Sequence, residues 1–326
     1  MNNETKLAPV FIISLPRSGS TLLQKMLAAH KDINSVAEPW LLLPLSTMKN
    51  NPKVKSYSNF SMWHTQIAID DFIQHLPEKD ESFNKIIRDF IINLYSDLDS
   101  NALFFVDKTP RYHLIIDFIV SIFPEAKFIF LCRHPLDILA SIITSWGKDK
   151  LHITHWAMDL YQGPFNLFEG YQNNADQSIV INYNELVTHP KQTLIHVCDF
   201  LGIKYSDTLL SGWSTLKLQG SMGDTKIKAM KSIDTKSIDV WKTVLNTHVR
   251  KIFAKWYIKY LSSDVLNFMN VDLDLAQKEL RRLKCSWKKT FPDLWSLLSA
   301  TIGRFIAIKV LREQWKDGLW KSDLLS

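Results

Sequence analysis

The sequence predicts an α/β fold, a parallel sheet flanked by helices, with a helical insertion and a helical C-terminal region. Three observations lead there. Short β-branched and aromatic runs end in polar turns, each run is followed by residues of helical period, and the runs are apolar throughout rather than alternating, as in strands buried on both faces. The 326 residues are 46% hydrophobic with 10 Gly and 12 Pro, which supplies a sizeable core and excludes a disordered, collagenous or coiled-coil chain.

The first strand is Val10 to Leu15. A turn follows, and then a helix whose apolar stripe is Leu22, Leu23, Met26, Leu27 and His30. A short apolar stretch, Ile33 to Ala37, puts Glu38 at a strand end, with Pro39 keeping it extended. From Pro44 to Ser100 the pattern is helix and loop, with Phe83, Ile86, Ile87, Phe90, Ile91 and Leu94 on one helical face. Further strands are Leu103 to Asp107, Lys127 to Cys132 and Ser178 to Asn182. Between Trp146 and Asn173, Gly163 and Pro164 are expected to interrupt any helix. From Ser237 onward no strand pattern survives. The expected division is a sheet unit over 5–205, with its insertion at about 44–100, and a mostly helical part over 206–326.

Three cysteines, odd in number and far apart, form neither a disulfide framework nor a zinc pattern and suit a reducing compartment as core thiols. The N-terminus carries an acid where a signal peptide needs positive charge, and the run Ala8 to Leu15 is too short to span a membrane, so a cytoplasmic location is expected. Residues 281–326 hold ten Lys+Arg and four Asp+Glu, a difference of +6 that equals the net charge of the whole chain. Four Trp (287, 295, 315 and 320) are interleaved there with the bases. That mixture suits peripheral contact with an anionic membrane surface, or amphipathic helices that close a pocket; no nucleic-acid motif accompanies it.

Two segments look built for anions. In the first, the turn after Val10 to Leu15 holds Arg17, Ser18, Gly19, Ser20 and Thr21 and opens directly into a helix, whose N-terminal N–H groups and dipole attract phosphate or sulfate. Laid over G-x-x-x-x-G-K-[ST], Ser14 takes the first Gly and Ser20 the Lys, so the lysine of nucleoside-triphosphate loops is missing. The only apolar strand ending in a carboxylate is Val106-Asp107, beside Lys108, so no magnesium site is expected. In the second segment, Arg133 ends a strand and Ser141 lies on the next helix, begun by Pro135; the two can converge on one phosphate.

Pro16 to Leu22, with Arg133 and Ser141 at their spacing, resembles the sulfotransferases that use 3′-phosphoadenosine 5′-phosphosulfate (PAPS), closest to their bacterial and tyrosylprotein branch. The resemblance implies a P-loop NTPase-like fold, PAPS as co-substrate, no metal, and a hydroxyl-bearing acceptor. It implies that Arg17, Ser18, Gly19, Ser20, Thr21 and Leu22 hold the 5′-phosphosulfate and that Arg133 and Ser141 hold the 3′-phosphate. Tyr183 would lie near the nucleotide, and Ser221 and Lys226 on a segment that closes over it before a helix begun by Trp241. Lys108 and Arg17 are the candidate cations for the transition state, and Glu38 falls where that branch places its catalytic glutamate. An exposed carboxylate is a weak base near neutrality, so the role needs burial beside Trp40 or late proton loss. His64 and His155 are the alternative bases. The rival functions are a P-loop small-molecule kinase and a nucleotide-binding or membrane-adaptor protein without chemistry.

Overall fold

Five parallel strands form one sheet in the order β2-β3-β1-β4-β5: β1 Ala8–Ser14, β2 Ile33–Asn34, β3 Phe104–Asp107, β4 Lys127–Cys132 and β5 Ser178–Asn182. This computed structural model describes residues 7–48, 60–99, 101–220 and 232–297. Strand residues alternate between the two faces, and each face has its own core. On one, Val10, Ile12, Val106, Ile129 and Leu131 pack against Leu22, Leu23, Met26 and Leu27 of α1 (Ser20–Ala28). On the other, Phe11, Ile13, Phe105, Phe128 and Phe130 pack against helices that include α4 (Asp80–Leu98), α5 (Ile116–Ile122) and α6 (Pro135–Ser145). Helices on both faces explain why the strands read as unbroken apolar runs.

The chain runs from β1 out to the β2 edge, returns through β3, and crosses to β4 and β5 on the other side. The strand order therefore reverses around β1, and ligands of open α/β sheets bind beyond the carboxyl ends of the strands at such a point. In register, Phe11 stands beside Asp107 and Ser14 beside Leu131. The segments that leave β1, β3 and β4 thus emerge side by side, which brings the 15–19 turn, Lys108 and Arg133 to one edge.

Other described helices include α2 (Leu42–Ser46), α3 (Phe60–Gln74), α7 (Gly163–Asn173), α8 (Tyr183–Thr188), α9 (Pro190–Leu201) and α10 (Thr208–Ser211). C-terminal to them come α11 (Trp241–Val244), α12 (His248–Tyr260), α13 (Ser263–Phe268) and α14 (Leu273–Arg282). The stripe expected on α4 is narrower than its sequence pattern: Ile87 and Ile91 are buried, with Ile92 and Tyr95, while Ile86 and Phe90 face solvent.

Gly163 and Pro164 do not interrupt a helix; they open α7 directly after a π-helical turn, Met158–Gln162. Proline clashes with the carbonyl four residues back in a regular α-helix. Here the Gly163 N–H bonds Met158 O, five residues back, and the wider turn accommodates the ring. Gly163 also lies against Leu15, whose Cδ2 is 2.4 Å from where a Cβ would sit. All three cysteines are free thiols, two of them in the core, whereas Cys285 is half-buried. Among the described residues no helix is long and apolar enough to cross a membrane.

Candidate active site

The loop after β1 is shaped by two left-handed residues, Arg17 (φ 69) and Gly19 (φ 87). At Gly19 the requirement is also spatial: a Cβ there would lie 2.3 Å from Tyr183 Cε2. The helix α1 starts at Ser20 with no side-chain cap; the Leu22 and Leu23 N–H groups bond Gly19 O, and those of Ser20 and Thr21 precede the first intrahelical bond. The Ser14 and Ser18 hydroxyls beside it are buried and have no hydrogen-bond partner among the described residues. Buried polar groups are normally satisfied, and unpaired ones gathered at a helix start fit an anionic ligand.

Lys108 leaves the end of β3 wholly buried. Its Nζ donates to Glu38 Oε1 at 2.6 Å and to Thr21 Oγ1 at 3.2 Å, which ties it to the first turn of α1. The Glu38 side chain is only 10% exposed. It stands four residues past β2, a strand of two residues, rather than at the end of a strand running to Ala37. The indole of Trp40 lies against it, with Nε1 donating to Glu38 Oε2 at 3.3 Å. Trp40 itself is left-handed (φ 56), a strained state for a bulky residue, and its N–H donates to Thr109 Oγ1 at 3.3 Å.

Asp107 points to the opposite face of the sheet. Its Oδ2 accepts from Tyr95 Oη at 2.5 Å and Tyr112 Oη at 3.0 Å. Burial pushes its carboxyl up to about 6, although Tyr95, Tyr112, Lys108 and Thr109 all pull it down.

Arg133 continues β4 and is 5% exposed. One guanidinium nitrogen donates to Arg17 O at 2.7 Å and another to Ser237 O at 2.5 Å, while Nε is buried without a partner among the described residues. The guanidinium carbon lies 4.5 Å from the centre of the Tyr183 ring, and Tyr183 Oη meets Ser237 Oγ at 2.7 Å. Burial, the largest influence, draws the Arg133 pKa down from its usual value; Tyr183 and Asp137 oppose this and Arg17 adds to it. Next along, burial lowers His134 to about 4, so its imidazole is neutral and Nδ1 accepts the Leu136 N–H at 3.2 Å, capping α6.

The structure brings Ser141 to Arg17. Arg17 Nε donates to Ser141 Oγ at 3.1 Å and another nitrogen to Ser145 Oγ at 3.4 Å, with the guanidinium 5.2 Å from the Trp146 ring centre. Arg17 therefore links the two candidate anion sites, by its backbone to Arg133 and by its side chain to α6. Ser145 was within reach of sequence reasoning, being one turn past Ser141. Ser237 was not, because its closeness to Arg133 depends on the tertiary path alone. Thr109 and the two tyrosines on Asp107 were likewise unmarked. His155 is exposed and its ring lies 5.0 Å from that of His152; the side chain of His64, with Ser221 and Lys226 of the expected closing segment, lies outside the described residues. So does 298–326, with its share of the basic tail. Trp241 is buried and begins α11, and its backbone N–H donates to Asp137 Oδ1 at 3.1 Å.

A family model described as "Sulfotransferase family" matches residues 9–207. Nodulation protein NoeE of Sinorhizobium fredii is 27% identical over 260 residues, 72% of this chain and 60% of that protein, so the match spans well short of the relative's full length. A putative protein-tyrosine sulfotransferase of Caenorhabditis briggsae is 23% identical over 244 residues, covering 71% of this chain and 80% of that one. Among solved structures, the sulfotransferase domain from the Synechococcus PCC 7002 olefin synthase superposes with a TM-score of 0.52 at 23% identity, covering 82% of this chain and 96% of its own. The sulfotransferase domain from the curacin biosynthetic pathway gives 0.53 at 23% identity, covering 81% and 96%. These two likenesses show the fold.

Proposed function

The chain belongs to the sulfotransferase family, and from that membership we propose that it moves the sulfuryl group of PAPS to a hydroxyl-bearing acceptor by in-line displacement. The observation that supports this most is the buried pair of Lys108 and Glu38, a cation and a carboxylate 2.6 Å apart, with the cation also on the first turn of the loop helix. Such a transfer builds negative charge on the bridging oxygen of the leaving nucleotide and releases a proton from the acceptor. A preorganised ammonium answers the first need and a carboxylate the second.

In this reading the loop from Arg17 to Leu22 holds the 5′-phosphosulfate, the Arg17 contribution there coming from its backbone, Arg133 and Ser141 hold the 3′-phosphate, and Tyr183 lies near the nucleotide. The fit rests on the Ser18 hydroxyl and Arg133 Nε, both buried and without a partner among the described residues, and on a loop whose glycine leaves no room for a side chain beside Tyr183. Arg17 is engaged with Ser141 and Ser145. Its guanidinium supports the 3′ side in this arrangement, and Lys108 is the cation assigned to the reacting end. Ser221 and Lys226 complete the proposed nucleotide contacts. The division into a sheet unit over 5–205 and a helical part over 206–326, and a cytoplasmic setting, belong to the same proposal.

The test is incubation with labelled PAPS and a fractionated cell extract, followed by identification of whatever acquires label, with calorimetric titration of 3′,5′-adenosine bisphosphate in parallel. Transfer to a hydroxyl compound together with bisphosphate binding supports the proposal. Magnesium-dependent ATP consumption in place of PAPS use would convert it to a kinase, and bisphosphate binding without transfer to any fraction would leave a binding protein.

A further inference from the structure

The helix α12 buries Arg250, Ala254, Tyr257 and Ile258. Its outer side carries Ile252, Trp256 and Tyr260, spaced four apart, at 69%, 49% and 43% exposure. The ridge continues beyond the helix. Trp287 lies against His248, one turn before Ile252, with ring centres 4.1 Å apart and the rings tilted by 35°, and Phe291 and Trp295 follow it at four-residue spacing along helical residues 290–297. Trp287, Phe291 and Trp295 are among the most exposed large apolar side chains of the described residues. The two segments are fastened together. Thr247 bridges Ser286, Lys251 Nζ donates to Arg281 O and Leu283 O at 2.9 and 2.8 Å, and Arg250 holds the buried Asp293 at 2.8 Å.

The charge of this surface is one-sided. Residues 248–260 and 281–297 contain nine Lys and Arg and a single acid, Asp293, which is buried against Arg250. From outside, Asp149 pairs with Lys289. That leaves Lys251, Lys255, Lys259, Arg281, Arg282, Lys284 and Lys288 around a line of exposed aromatic and aliphatic side chains.

We propose that this face docks on an anionic lipid surface, bases on the headgroups and Trp256, Tyr260, Trp287, Phe291 and Trp295 at the interface. Aromatic rings flanked by lysine and arginine favour that depth, where the ring is half in hydrocarbon and the charge in the headgroup layer. A second copy of the chain is a poor partner, because two such faces would meet with like charge. Single-stranded nucleic acid would use the rings and bases but not Ile252, the most exposed residue of the α12 ridge, which has no face on which a base can stack. The proposal is independent of the sulfuryl-transfer reading.

The test is co-sedimentation of the full chain with vesicles of phosphatidylcholine alone and of phosphatidylcholine mixed with phosphatidylserine. Binding should be confined to the mixed vesicles and should weaken with added salt. With each surface base contributing about 1 kcal/mol, Lys255→Gln with Lys259→Gln should lower partition roughly 30-fold. Affinity for 3′,5′-adenosine bisphosphate should stay unchanged in that variant, which separates failure of the docking face from failure of the fold or nucleotide site. Equal partition to both vesicle types, absence of binding to either, a dimer in light scattering that buries these tryptophans, or preference for an oligonucleotide over mixed vesicles at the same salt would each overturn it.

Discussion

Replacing the two halves of the Lys108–Glu38 pair, singly and together, separates what the pair does for the fold from what it does for chemistry. At 2.6 Å and an effective dielectric of about 20, two unit charges attract by about 6 kcal/mol before desolvation is counted. Removing one partner leaves the other charged and shielded from water, so Glu38→Gln and Lys108→Met should each destabilise by about 3–5 kcal/mol. The double variant removes both charges and should be far less destabilised than the sum, with a coupling energy of about 3 kcal/mol or more in urea unfolding at neutral pH. Turnover should behave differently. Each single variant should lose about 100- to 1000-fold in kcat/KM with the labelled acceptor, and the double variant should recover none of it, because neither the base nor the ammonium is restored. A coupling energy near zero would refute the ion pair. Recovered turnover in the double variant would refute the assignment of chemistry to these two residues, leaving them a structural pair.

Three further perturbations probe the frame around them. Arg133→Ala should weaken 3′,5′-adenosine bisphosphate by about 1.5–3 kcal/mol, roughly 10- to 150-fold, in calorimetric titration, and unaltered affinity would count against a phosphate at this guanidinium. Gly19→Ala would place a Cβ 2.3 Å from Tyr183 Cε2 at a φ of 87; unfolding should show a loss of about 1–2 kcal/mol, with weakened bisphosphate binding as the Tyr183 ring is pushed from under Arg133. The Asp107 carboxyl, raised to about 6 from 3.8, binds its proton more tightly folded than unfolded, so its contribution to stability is present at low pH and is lost as pH rises through that interval. Asp107→Asn should therefore match the wild type near pH 4 and exceed it by an amount that grows to about 3 kcal/mol by pH 7. A difference that stays flat across that range would show that the carboxyl titrates normally.

Four of the five strands could be read from the sequence because a parallel strand buried on both faces needs only a short apolar run between polar turns. Val10 to Leu15, Leu103 to Asp107, Lys127 to Cys132 and Ser178 to Asn182 each lie within two residues of the observed strands. The fifth, Ile33–Asn34, is too short for any period to register, and its brevity moves Glu38 away from the strand end expected for it. The α7 helix was hidden because glycine followed by proline ordinarily breaks a helix, and only the π-helical turn before it removes the clash. At the site, local sequence drew attention to Arg17, Glu38, Lys108, Arg133 and Ser141 one at a time. Their pairing was not legible. Lys108 and Glu38 are 70 residues apart and meet because β2 and β3 are neighbours, and Arg17 reaches Ser141 because β1 and β4 are.

The alternation of side chains along β3 also bears on which chemistry this edge can support. Val106 faces α1, and two residues on Lys108 does the same, reaching Thr21; Phe105 and Asp107 face the other core. A strand-end carboxylate that assists a magnesium-dependent phosphoryl transfer must look toward the phosphate loop. Asp107 looks away from it and is held by two tyrosine hydroxyls, and the position that does face the loop is a lysine. The period of two in one short strand thus sets the Lys108 ammonium beside the loop and turns Asp107 away from it, and Glu38 is the carboxylate that meets that ammonium.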